Sequence, residues 1–128
     1  MFILLADDDA EDLELFQELL LSIQPGISIQ TAPNGKSLMQ FLSGCEPSGF
    51  PDLIILDYNM PQMKGAELLW ELSSDERYAA IPKYVLSTSD AAEHIKECMD
   101  KGAAAYFVKP GNLNDMQAMI RKILDSVH

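Results

Sequence analysis

Residues 51–65 read PDLIILDYNMPQMKG, and within them four consecutive apolar side chains, Leu53 to Leu56, stop at Asp57. No polar residue alternates with the apolar ones. A strand of that kind is buried on both faces, as in the interior of a parallel sheet. Its abrupt end at an aspartate has two readings. Asp favours turns and a strand must end somewhere; alternatively, the carboxylate stands at the edge of a crevice and does chemistry there.

Outward from this strand, short apolar runs alternate with stretches of helical period. FILLA (2–6) reads as a buried strand, and Leu13, Phe16, Leu19, Leu20 and Ile23 then recur at helical spacing until Pro25-Gly26. ISIQTA (27–32) alternates as a less buried strand, and Asn34-Gly35 introduces a helix with Leu38, Phe41 and Leu42 inward, ending near Gly44. After DLIIL, a helix from about Gly65 carries Leu68, Leu69 and Leu72, and KYVLS (83–87) forms a fourth strand. Asp90 with Glu93 predicts a capping box for the next helix, which turns Ile95, Cys98 and Met99 inward and ends at Gly102. AAAYFV (103–108) is a fifth strand. The last helix presents Leu113, Met116, Met119, Ile120, Ile123, Leu124 and Val127. Five strands alternating with five helices predict right-handed βαβ crossovers and an α/β sheet covered by helices on both faces, in one domain spanning 1–128.

The bulk composition narrows the function classes. A chain of 128 residues with 48% hydrophobic content builds one substantial core, and no apolar run approaches the ~20 residues of a membrane span. The start lacks the features of a signal peptide, which predicts a cytoplasmic protein without a membrane partner. Cys45 and Cys98 form no CxxC and read as ordinary thiols. Nine Lys and Arg against twenty Asp and Glu give a formal charge of −11, which disfavours direct nucleic-acid binding and suits a cation or a basic partner.

In an open α/β sheet the ligand crevice lies beyond the carboxyl ends of the strands. The first strand delivers Asp7-Asp8-Asp9 there, the third Asp57, the fourth Ser87-Thr88 and the fifth Lys109-Pro110. Taken singly, each has an ordinary use: helix caps for the aspartates, turn chemistry for the hydroxyls, a solvated charge for the lysine. Those uses do not predict carboxylates, hydroxyls and an amine converging on one edge. Clustered carboxylates repel one another, and a hard divalent cation with oxygen ligands relieves that. A carboxylate can also act as a nucleophile toward phosphorus, with cations on the equatorial oxygens. The set suffices for phosphoryl chemistry on an aspartate.

ILLADDD, DYNMPQMKG, VLSTS and GAAAYFVKP, in that order and spacing, resemble the receiver domain of two-component response regulators, over the whole chain. The resemblance implies a flavodoxin-like, doubly wound five-stranded parallel sheet of order 2-1-3-4-5. It implies Asp57 as phospho-acceptor, with a phosphohistidine on a sensor histidine kinase or a histidine phosphotransfer protein as donor. It further implies Mg²⁺, or Mn²⁺ in its place, held by Asp8 directly, by Asp7 mainly through water, by Asp57 and by the Asn59 carbonyl. Lys109 and the Ser87 hydroxyl would bind the phosphoryl oxygens, with the Thr88 N–H as a further donor. Tyr106 would swing inward as Ser87 moves, and Pro110 would follow a cis peptide bond. Asp9 is expected to flank the helix start. Such a protein is a switch that assists its own phosphorylation and hydrolysis rather than a turnover enzyme.

Two alternatives remain at this point. Haloacid-dehalogenase-like phosphatases place a D-x-D nucleophile after the first strand, which would make Asp7 the nucleophile. However, Glu11 stands where that family has Thr or Val, and the Asp57 segment is left unexplained. A receiver that binds proteins without being phosphorylated is disfavoured by the intact Asp57, Lys109 and acidic pair.

Overall fold

The computed structural model describes residues 1–127, so only His128 of the expected domain lies outside the described residues. β1 (Phe2–Ala6), β2 (Ser28–Ala32), β3 (Leu53–Asp57), β4 (Lys83–Ser87) and β5 (Ala105–Val108) form a parallel sheet of order β2-β1-β3-β4-β5. The helices are α1 (Ala10–Ile23), α2 (Gly35–Ser43), α3 (Gly65–Ser74), α4 (Ala92–Asp100) and α5 (Leu113–Ser126), with a 3₁₀ turn at Pro47–Gly49.

The run that ends at Asp57 is buried throughout because it lies at the centre of this order. Its side chains alternate between two cores. Ile54 and Leu56 join Leu4, Ala6 and Val85 beneath α2, α3 and α4. Leu53 and Ile55 join Ile3, Leu5, Tyr84 and Leu86 beneath α1 and α5. β2, at the sheet edge, alternates exposed and half-buried positions, as its sequence predicts.

Four local expectations are corrected. α4 has no capping box: its N-cap is Ala91, without a side-chain bond, and the Ser89 Oγ accepts the Ala91 N–H at 3.3 Å instead. Met99 is exposed although Cys98 is fully buried, because α4 turns only a narrow stripe inward, with Cys98 its one buried residue. Leu113, also exposed, opens α5 before that helix meets the core. β5 begins at Ala105, two residues later than the apolar run suggests.

Gly65 joins the end of β3 to α3. A Cβ there would lie 2.6 Å from the Asp57 carbonyl oxygen and 2.9 Å from the Tyr58 Cα, both backbone atoms. The Gly65 N–H donates to the Tyr58 carbonyl at 2.8 Å, so the two segments are clamped together. Gly65→Ala is therefore expected to cost about 2 kcal/mol in urea unfolding, as an overpacked contact with nowhere to relax. Gly26→Ala, where the Cβ meets nothing within 4 Å, is the control and should leave the midpoint nearly unchanged.

Candidate functional site

The register of the sheet assembles the site. Asp57 pairs with Leu86 and Ser87 with Val108, so Ser87 and Lys109 emerge one step along from the end of β3. Asp7 follows directly on β1, and its N–H donates to the Ala32 carbonyl at 3.1 Å. Asp7 is 2% exposed and Asp57 9%, whereas Asp8 is open to solvent. One carboxylate oxygen from each of the three lies within 4.8 Å of the other two.

Lys109 crosses the sheet edge to meet them. Its Nζ donates to Asp7 Oδ2 at 2.9 Å and to Asp12 Oδ2 at 3.0 Å, and lies 3.8 Å from Asp57 Oδ1. Burial works against the charged amine, but its hydrogen bonds to Asp7 and Asp12 and the charge of Asp57 outweigh that and hold its pKa above the ordinary lysine value. Asp57 moves the other way. Burial pushes its carboxyl up to about 7; the Lys109 charge offsets part of this, the charge of Asp7 adds to it, and a hydrogen bond from the Asn59 backbone lowers it slightly. The group that ends the central strand is thus the strained member of the cluster.

The donor set fits a hard divalent cation. It consists of carboxylate oxygens, with no thiolate or imidazole among the clustered groups, and it carries more negative charge than one lysine neutralises.

The other expected residues fall around this centre. Ser87 is fully buried, and its Oγ accepts the Ser89 N–H at 3.1 Å. Thr88 and Asn59 are exposed in the loops beyond β4 and β3. Tyr106 is half-buried and donates its hydroxyl to the Ser89 carbonyl at 2.8 Å. Asp9 caps α1, accepting the N–H groups of Glu11 and Asp12. The expected cis bond before Pro110 is corrected: no described peptide bond is cis. Trans is the default for X–Pro by about 0.5–1 kcal/mol, and Lys109 reaches both of its partners with it.

Two features escaped the sequence. Asp12 has a helix-start position, three residues after a cap, and nothing local announces a lysine 97 positions away. Tyr58 and His94 form the second. The Tyr58 ring stacks on His94 with centroids 4.6 Å apart, its hydroxyl donates to Glu97 Oε1 at 2.9 Å, and the Ser89 Oγ lies 2.6 Å from His94 Nδ1. Burial, reinforced by Glu97, raises the Tyr58 hydroxyl to about 12, so it stays a donor at physiological pH. α4 is thereby tied both to the residue after Asp57 and to the loop after Ser87.

Residues 3–121 match the response regulator receiver domain model. The chain belongs to the response regulator receiver family. Among curated receivers, the two-component response regulator ORR5 of Oryza sativa subsp. japonica is 30% identical over 122 residues, covering 95% of this chain and 87% of its own length. The phosphorylated cyanobacterial phytochrome response regulator RcpA superposes with a TM-score of 0.87 at 32% identity, covering 97% of this chain and 91% of RcpA. The Mn²⁺-bound response regulator Rcp1 gives 0.84 at 30% identity, with 95% and 90% coverage. The flavodoxin-like order 2-1-3-4-5 expected for a receiver is the order observed. Among the described residues, no helix is long and apolar enough to cross a membrane.

Proposed function

We propose that this receiver is a phospho-acceptor switch in which Asp57 takes a phosphoryl group from the phosphohistidine of a sensor kinase or phosphotransfer protein. The observation that carries the reading is the convergence of Asp7, Asp8, Asp57 and Lys109 on one sheet edge, with Asp57 the residue whose charge is least well accommodated. A phosphorylated relative and a Mn²⁺-bound relative of the same fold support it.

In the transfer, a carboxylate oxygen of Asp57 forms a bond to phosphorus as the phosphorus–nitrogen bond of the donor breaks, and the imidazole leaves with that electron pair. Asp8, Asp57, the Asn59 carbonyl and, through water, Asp7 are the residues that would hold Mg²⁺ or Mn²⁺. When bound, that ion neutralises the carboxylates and the phosphoryl oxygens. The rigid central strand keeps the Asp57 carboxylate in line for attack. Lys109 follows the new charge, the Ser87 hydroxyl turns from the Ser89 N–H to donate to a phosphoryl oxygen, and the Thr88 N–H adds a donor. Ser89 also holds Tyr106 and His94, so rearrangement of the 87–89 loop is felt on β5 and α4.

Incubation with Mg²⁺ and acetyl phosphate is expected to add one phosphate by intact mass, mapped to Asp57 after borohydride trapping and abolished in Asp57→Asn. A label on Asp7 would favour the phosphatase alternative. No label on the wild-type chain under conditions that label another receiver would overturn the proposal.

A further inference from the structure

We infer that Asp12 is a positioning residue that holds the Lys109 amine in the resting state and must release it for Asp57 to be phosphorylated. The inference rests on the phospho-acceptor reading and adds a residue to it. Asp12 is the third residue of α1 after its cap, where an acidic side chain ordinarily reaches back to the backbone N–H of the cap residue. Here that N–H is already taken: Asp9 N donates to Asp7 Oδ1 at 3.0 Å. The Asp12 carboxylate is free to turn elsewhere, and it meets Lys109 Nζ at 3.0 Å.

The geometry of the amine makes this matter. Lys109 has three hydrogens, and two serve Asp7 and Asp12. Asp57 Oδ1, at 3.8 Å, is beyond ordinary hydrogen-bond length, so the amine leans toward β1 and α1 rather than toward the acceptor. Asp7 cannot easily surrender it, being 2% exposed with its other oxygen committed to the Asp9 N–H. Asp12 can, because its side chain is 36% exposed and water replaces the lost bond. Asp12 is therefore the partner that gives way as the amine turns to a phosphoryl oxygen, and its grip is released before transfer is complete.

The test measures gain and loss of label separately. In Asp12→Asn the resting grip is weakened, and acetyl phosphate labelling should run roughly fivefold faster, the effect of about 1 kcal/mol for a partly exposed ion pair. Loss of label should stay within twofold of wild type, because the phosphorylated state no longer uses the contact. The Mg²⁺ half-saturation point should also be unchanged, since Asp12 is outside the carboxylate trio, and Asp12→Glu should restore the wild-type rate. A residue that merely stabilised α1 would not separate gain from loss in this way. Labelling of wild type with no acceleration in Asp12→Asn, or acceleration of both gain and loss, would overturn the role of Asp12 alone. Failure of wild type to label would overturn the phospho-acceptor reading and this inference together.

Discussion

Lys109→Met is expected to destabilise the metal-free protein by about 3 kcal/mol at pH 8, the scale of losing one partner from a buried ion pair. Methionine keeps much of the apolar stem and deletes only the charge. What remains is Asp7, nearly inaccessible, and Asp57, nearly so, with Asp8 beside them and no cation inside the cluster. The loss should depend on pH, and its direction follows from which group titrates. The pKa of Lys109 is raised, so its own contribution is in place at every pH below its ordinary 10.5 and is lost only as pH rises through the still higher folded value. Across pH 5–8 the change therefore comes from Asp57. Without the amine, the attraction that partly restrains Asp57 disappears, so its carboxyl holds its proton to higher pH than in wild type. As pH falls Asp57 takes up its proton and the gap between variant and wild type narrows. Urea unfolding at pH 5 and pH 8 reads this directly. An equal loss at both would assign the effect to packing of the lysine stem rather than to charge. Millimolar Mg²⁺ should recover part of the stability at pH 8, because the ion substitutes for the missing positive charge.

How much of this was legible in the sequence follows from the physics of each feature. β3 and β4 announce themselves because strands buried on both faces cannot carry polar alternation, and the alternation of β2 marks it as an edge just as plainly. Asp7, Asp8, Asp57 and Lys109 were legible because a parallel sheet delivers all its strand ends to one side, which turns chain position into spatial position. The strand order itself came from resemblance, since alternation alone does not say which strand neighbours which. Asp12 was illegible because its role depends on the lean of a side chain from the far edge of the sheet, and its local setting reads as an ordinary helix start. The start of α4 misled for a related reason: Asp90 and Glu93 have the spacing of a capping box, but the helix is capped one residue later, at Ala91, whose own N–H is taken by Ser89, which also binds His94. Lys83 shows the limit from another side. It is 2% exposed in β4, and only the Ala79 carbonyl at 3.0 Å explains how a lysine is tolerated there.

Asp57→Asn tests the strain of the same site from the acceptor's side. The folded pKa of Asp57 is about 7 against an ordinary 3.8, so between those values the folded protein binds a proton that the unfolded chain has released. By linkage, stability from this group falls as pH rises through that window, and the deficit persists above it. Asparagine removes the charge while keeping the size. In the absence of metal the variant should match wild type near pH 4 and exceed it by about 4 kcal/mol at pH 8, since each pH unit between 3.8 and 7 is worth about 1.4 kcal/mol. Mg²⁺ should reverse the advantage. A ligand at a hundred times its dissociation constant stabilises the folded state by about 2.7 kcal/mol, and the variant, short of one carboxylate, binds the ion less well. Thermal melts at pH 4, 6 and 8, with and without Mg²⁺, give the full comparison. If Asp57→Asn melted below wild type at pH 8 without metal, the carboxylate would be held comfortably by Lys109 and the Asn59 backbone, and no charge strain would be available to drive cation or phosphoryl capture. The expected order means the opposite: the central strand carries its aspartate into a place where the bare charge is unfavourable, and the sheet's own stability is lowered until a cation or a phosphoryl group arrives to relieve it.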